Sequence, residues 1–221
     1  MLCSNDAKFG DNRLKKIPLL VAALAFVVGI VAAQYLLSTN VPPTATPSGS
    51  TRVPVVAGKF GGDFTLTQAG KPTKLSDFSG KVVVLYFGYA SCPDICPTTL
   101  AIISAGLKKL SAEELAQVQP LFVSVDPERD NGERLNTYAQ HFHPNIKGVT
   151  GTAEEVQQAA QQYGAFFSKV TSTSAMGYMI DHTSNTYLIS KDGQFVTILP
   201  HEMTPDTVAA SIREALKLQP D

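Results

Sequence analysis

Two cysteines stand four apart in the stretch Tyr86-Phe87-Gly88-Tyr89-Ala90-Ser91-Cys92-Pro93-Asp94-Ile95-Cys96-Pro97. Thiols held that close can bind a soft metal, close into a disulfide, or do both at different times. The third cysteine, Cys3, lies beyond a long apolar segment, so the pair has no competing partner for a disulfide framework. Cys3 reads as an incidental thiol. A domain of roughly 160 residues is stabilised by an ordinary core, which makes the pair a site first and a staple second.

The elements around the pair must hold both sulfurs. Val82-Val83-Val84-Leu85-Tyr86-Phe87 is a continuous β-branched and aromatic run, the pattern of a strand buried on both faces of a sheet. After the cysteine loop, Pro97 suits a first helical position, and Leu100, Ile103, Leu107 and Leu110 recur at helical spacing. Cys96 is thus expected at a helix start, where the orphan N–H groups and the helix dipole favour its thiolate.

Pro120–Val125 reads as a second buried strand, followed by the loop Asp126-Pro127-Glu128-Arg129-Asp130 and a helix from Glu133 to about Phe142. A further helix carries Val156, Ala159, Ala160 and Tyr163; then Tyr187–Ser190 and Phe195–Leu199 flank an Asp192-Gly193 hairpin signal. An amphipathic helix from Pro205 to about Leu218 closes the chain. A βαβ half joined to a ββα half predicts an α/β domain of thioredoxin-like fold.

Upstream, residues 17–37 read IPLLVAALAFVVGIVAAQYLL, without a charge. As a helix this rises about 31 Å, the thickness of a bilayer's hydrocarbon core. A cleaved signal peptide would have a shorter apolar region ending at a small-x-small site. Lys8, Arg13, Lys15 and Lys16 precede the segment and no basic residue follows until Arg52, which puts the N-terminus in the cytoplasm.

The expected organisation is a cytoplasmic N-terminus over 1–16, a single transmembrane anchor over 17–37, a Pro/Thr/Ser-rich flexible linker over 38–54 and the domain over 55–221. That domain faces the periplasmic or other extracytoplasmic side of an inner or plasma membrane. With the four basic and two acidic residues before the anchor set aside, 14 Lys+Arg face 17 Asp+Glu. This balance argues against a nucleic-acid partner.

Over residues 55–218 the chain resembles the Sco/SenC copper-binding proteins. The motifs that carry the resemblance are Phe64-Thr65-Leu66, Leu75-Ser76-Asp77-Phe78-Ser79-Gly80-Lys81, the cysteine stretch, Val125–Asp130, Tyr138 with Phe142-His143-Pro144, and Asp181-His182-Thr183. It implies a membrane-tethered thioredoxin-like domain that binds copper through Cys92, Cys96 and His182, with Cu(I) the state the ligands suit and Cu(II) left open. It further implies delivery to the dinuclear copper centre in the copper-accepting subunit of cytochrome c oxidase during assembly. The other implied partner is a copper donor or a thiol-disulfide oxidoreductase.

The ligand types suit that cargo. Cu(I) takes thiolate and imidazole at low coordination number, whereas a closed structural zinc site wants four donors and usually a second close pair. Asp181 and Asp94 are candidates to support the ligands from behind, although neighbours in an extended segment point apart and Asp181 reads equally as a loop or turn residue. Taken alone, His182 would more often be a hydrogen-bonded structural histidine.

The alternative is a thiol-disulfide oxidoreductase that reduces the acceptor's cysteines, using Cys92 and Cys96 as a redox disulfide. Such chains usually have Cys-x-x-Cys and a Pro before the penultimate strand; here the spacing is one longer, and no Pro stands among residues 182–186. A peroxidase would want a Thr/Pro-flanked cysteine with a nearby Arg. His141 and His143, roughly 200° apart on a helix, read as surface or capping residues. Met176, Met179, His201, Glu202 and Met203 read as loop and partly buried positions. The charges of 126–130 suit either a functional loop or a solvated one with internal ion pairs, and Tyr86, Phe87 and Tyr89 suit the core or the wall of the site.

Overall fold

A computed structural model describes residues 34, 60–172 and 177–218. The expected anchor and linker, and Met176, lie outside the described residues, Gln34 apart. Among the described residues no helix is long and apolar enough to cross a membrane.

A short hairpin of β1 (Thr65–Gln68) and β2 (Lys71–Lys74) leads through one 3-10 turn, Leu75–Phe78, into β3 (Val82–Gly88). Then follow α1 (Ile95–Leu107), α2 (Ala112–Ala116), β4 (Val118–Ser124), α3 (Gly132–Phe142), β5 (Lys147–Val149) and α4 (Ala153–Gln162). The chain continues through β6 (Phe167–Thr171), β7 (Tyr178–His182), β8 (Thr186–Ile189), β9 (Phe195–Leu199) and α5 (Pro205–Lys217).

The main sheet has the order β5-β4-β3-β8-β9, with β3, β4 and β5 parallel and β8 and β9 antiparallel additions. Every residue of β3 and β4 is buried, as their unbroken apolar runs demand. The crossovers β3-α1-β4 and β4-α3-β5 advance in the same direction, so the right-handed rule puts α1 and α3 on one face. There the Ser104 hydroxyl donates to the Phe142 carbonyl at 2.6 Å, and α5 packs on α1. The opposite face carries Phe87, which meets Tyr163 and Tyr187 at ring distances of 6.2 and 5.9 Å.

Alternation along β3 sends Tyr86 and Gly88 to the α1 face and Phe87 to the other. The register sets Tyr86 between Phe122 of β4 and Thr186 of β8.

The structure departs from the sequence reading in three places. Helix α1 begins at Ile95, so Cys96 is its second residue and Pro97 its third; Pro is tolerated there because first-turn N–H groups have no intrahelical acceptor. The β6–β7 hairpin has no counterpart in the sequence reading, its short strands having too little apolar contrast to stand out. His143, read as a surface or capping residue, is the C-cap of α3 but is buried there, where its Nδ1 accepts the Asn145 N–H at 3.2 Å; His141 is exposed.

Helices α1 and α5 touch through Gly106, where an added Cβ would lie 2.6 Å from Val208 Cγ1. Gly106→Ala is expected to overpack this contact and cost about 1–3 kcal/mol, read as a lower urea midpoint at unchanged m-value.

Candidate metal centre

Strand β3 ends at Gly88, and its last carbonyl accepts the Val125 N–H at 2.8 Å, fixing the mouth of the loop. Two residues on, the Ala90 N–H donates to Asp130 Oδ2 at 2.6 Å; Asp130 is buried and also accepts the Ser124 hydroxyl at 2.7 Å. Burial raises the Asp130 carboxyl above its ordinary range. A tight turn, with Cys92 N–H on the Tyr89 carbonyl at 3.2 Å, then brings Cys92 over the start of α1.

The helix has no side-chain cap from its N-cap residue, Asp94. Instead the Cys92 sulfur takes the Cys96 N–H at 3.5 Å, and the Asp94 backbone N–H also donates to it. Cys92 therefore does the work of a helix cap. Its thiol is pulled down to about 3, first by a hydrogen bond from Cys96, then, against the cost of burial, by these backbone N–H groups.

Cys96 goes the other way: its bond to Cys92 and its burial push the thiol well above its ordinary value. The expectation that the helix start favours the Cys96 thiolate is thus corrected. Cys96 is fully buried, whereas the half-buried Cys92 collects the first-turn N–H groups.

Cys96 lies over Gly88, where a Cβ would sit 2.8 Å from its sulfur. His182, the last residue of β7, brings Nε2 to 3.2 Å from that sulfur. Its Nδ1 is 3.1 Å from the Thr183 carbonyl, which can only accept, so the proton sits on Nδ1 and Nε2 presents a lone pair. Tyr86 and Tyr89 hold the ring edge-on, at 6.3 and 5.8 Å.

One ligand atom each from Cys92, Cys96 and His182 lies within 4.8 Å of the others; among the described residues no other such group of three Cys, His or carboxylate side chains forms.

The hairpin that carries His182 is fastened by residues the sequence left undecided. Buried Asp126 pairs with Arg129 and accepts the Tyr178 hydroxyl at 2.7 Å; Arg129 Nη1 donates to the Tyr178 carbonyl at 3.0 Å, and its guanidinium lies 3.7 Å over the Tyr178 ring. The ion pair was foreseen, but the carboxylates of 126 and 130 are buried rather than solvated. Asp-Pro directly after a buried strand was the available signal.

Asp181 is exposed, since neighbours on a strand point to opposite faces, and the backbone carbonyl of Thr183 orients His182 instead. Asp94 is also exposed and contributes its backbone N–H. Both corrections have one cause: main-chain groups do what side chains were expected to do. Met203 is buried, and His201 Nδ1 lies 3.2 Å from the Thr99 hydroxyl rather than in the group of three.

A family model described as SCO1/SenC matches residues 54–217. The chain belongs to the SCO1/SenC family. Relatives in that family include the mitochondrial SCO2 homolog of Mus musculus, 38% identical over 154 residues that make up 69% of this chain and 60% of that protein. The SCO2-like protein of Rickettsia felis is 31% identical over 179 residues, 80% of this chain and 86% of its own length. The chain spans only 60% of the mouse relative's length.

Among solved family structures, Bradyrhizobium japonicum ScoI with copper bound aligns with a TM-score of 0.64 at 35% identity, covering 71% of this chain and 99% of that one. Yeast Sco1 with copper bound aligns at 0.65 and 36%, covering 72% and 90%. The mixed α/β, thioredoxin-like fold is therefore the family's.

Two outcomes follow from the geometry. A thiolate persists above its pKa, so iodoacetamide should label Cys92 of the reduced chain at a nearly constant rate from neutral pH down to about pH 4, while an ordinary thiol slows about tenfold per unit. Cys96 should label only on unfolding; equal labelling of both at pH 6, by peptide mass spectrometry, would contradict this asymmetry.

Arg129→Gln leaves Asp126 buried without its cation and should cost about 3 kcal/mol. Amide exchange should accelerate most over residues 178–182.

Proposed function

We propose that Cys92, Cys96 and His182 bind copper as cargo, and that the chain is a copper chaperone rather than a turnover enzyme. The observation that carries this reading is the convergence of two sulfurs and one imidazole Nε2 within 4.8 Å, with the tautomer already set for ligation. The donor set is soft and of low coordination number, as Cu(I) prefers, and no fourth Cys, His or carboxylate among the described residues joins it to close a zinc site. Copper-bound relatives at 35–36% identity support the same choice of ion.

Around this site we place the remaining organisation: residues 17–37 anchor the chain, 38–54 tether it, and the domain stands on the extracytoplasmic side. From there it hands copper to the copper-accepting subunit of cytochrome c oxidase. A relative described as belonging to "the Sco family of cytochrome c oxidase assembly proteins" supports that destination.

A second role is favoured by a particular feature, the lowered Cys92 thiol beside a free partner four residues away. Such a thiolate attacks disulfides, and the relative BsSco is described as having a disulfide switch. In our reading oxidation of the pair abolishes the thiolate site and reduction restores it, so copper binds the reduced form alone.

The test is a Cu(I) titration against a competing chelator, with dithiol-disulfide exchange measured in parallel. The reduced chain should take one copper; His182→Ala should weaken binding by about 100-fold or more while leaving thiol exchange unchanged; the disulfide form should bind none. Unchanged affinity in His182→Ala would refute the ligand set, and tight stoichiometric copper on the disulfide form would refute the redox gate.

A further inference from the structure

Tyr86 is 1% exposed, and its hydroxyl has no hydrogen-bond partner. Buried hydroxyls are ordinarily paired, and phenylalanine would fill the same space without the cost of an unmet donor. The ring is well placed: it stacks on Phe122 at 6.1 Å and meets His182 edge-on at 6.3 Å, contacts that a phenylalanine would keep.

The hydroxyl lies close enough to Cys96 and Thr99 to interact electrostatically with both, and it makes a geometrically formed hydrogen bond to neither. Thr99 is engaged with His201, and a neutral thiol is a poor acceptor. An added Cβ at Gly88 would come 2.8 Å from Cys96 Sγ and 3.1 Å from Tyr86 Cε1, so the sulfur and the tyrosine ring share one buried space. Across the strand register, Thr186 also holds a buried hydroxyl with no partner, so nothing on that side completes Tyr86.

We propose that the Tyr86 hydroxyl is a positioning donor for the metal-loaded state, engaging the Cys96 sulfur once that sulfur is a metal-bound thiolate. The inference rests on the ligand set proposed above. On loading, the Cys96 S–H bond breaks, a Cu–S bond forms, and the proton leaves to solvent with no change in oxidation state. The partial negative charge and free lone pairs that remain on a metal-bound thiolate make it an acceptor that the neutral thiol is not, and a hydrogen bond to it holds the thiolate in place and spreads its charge.

The experiment compares the full chain with Tyr86→Phe and with Tyr163→Phe. Tyr163 is a buried tyrosine on the far side of the sheet whose hydroxyl is satisfied, donating to the Gly62 carbonyl at 2.9 Å. Two quantities are read: the Cu(I) dissociation constant by chelator competition, and the Tm of the reduced, metal-free protein.

Tyr86→Phe should weaken copper binding about tenfold while its metal-free Tm stays level or rises. Tyr163→Phe should do the reverse, lowering Tm with copper affinity unchanged. Equal copper affinity in Tyr86→Phe and the unmodified chain would overturn the proposal, as would a fall in metal-free Tm comparable to that of Tyr163→Phe. Failure of the unmodified chain to bind copper would overturn the ligand set itself, a result distinct from either.

Discussion

Cys96 is buried in the first turn of α1, its sulfur laid over a glycine and 3.2 Å from an imidazole nitrogen. A charge there has no solvent and few backbone N–H groups to receive it, so the thiol keeps its proton. The neighbouring Cys92 becomes the natural thiolate, because the Cys96 thiol and the N–H groups of the turn all point at it. In the reading proposed above, this asymmetry would serve both chemistries: Cys92 as the attacking thiolate, and Cys96 as a second sulfur released for ligation when a metal takes the place of its proton. Gly88 is the condition for this, since any side chain there would take the space of the buried sulfur.

The third donor comes from elsewhere in the chain and is held by different physics. His182 ends a two-stranded hairpin that pairs with no strand of the main sheet, so its position depends on side chains. Asp126 and Arg129 clamp Tyr178 at the hairpin's entry, the Tyr89 hydroxyl accepts the Ile180 N–H at 3.4 Å, and two tyrosine rings fix the imidazole plane. The same loop anchors the cysteine turn through Asp130 and Ala90. Both halves of the site thus hang from the carboxyl end of β4, the edge where open α/β sheets carry their ligands.

Much of this was legible beforehand. The unbroken runs at 82–87 and 120–125 specified central strands because only a strand buried on both faces tolerates them. The Cys-x-x-x-Cys spacing and the resemblance to the Sco/SenC proteins named the three residues that converge, Cys92, Cys96 and His182. What stayed hidden was information that sequence carries only through the backbone. Cys92 was not foreseen as the cap of α1, because sulfur is not among the usual cap residues. Asp181 and Asp94 seemed suited to support the site because they are polar neighbours, yet a strand's alternation turns one away and the other acts through its amide. Asp126 and Asp130 suited either a functional loop or a solvated one, and their burial became visible only when β7 was laid across them.

If the group of three holds copper as cargo, as proposed, its empty state has to be metastable in a particular sense. Its groups should be arranged for the loaded state while the empty state remains folded, so some cost stays unrelieved until the metal arrives. Two features of this chain fit that demand: a buried thiol held beside a lone-pair nitrogen, and a tyrosine hydroxyl with nothing to bond. An unmet buried donor costs about 1–3 kcal/mol, a tolerable share of a domain's stability of about 5–15 kcal/mol. On the Tyr86 proposal, that cost would return as affinity when the sulfur becomes a metal-bound thiolate. The core supports that tolerance: β3 and β4 are buried end to end, so strain at the open edge does not loosen the frame that holds it.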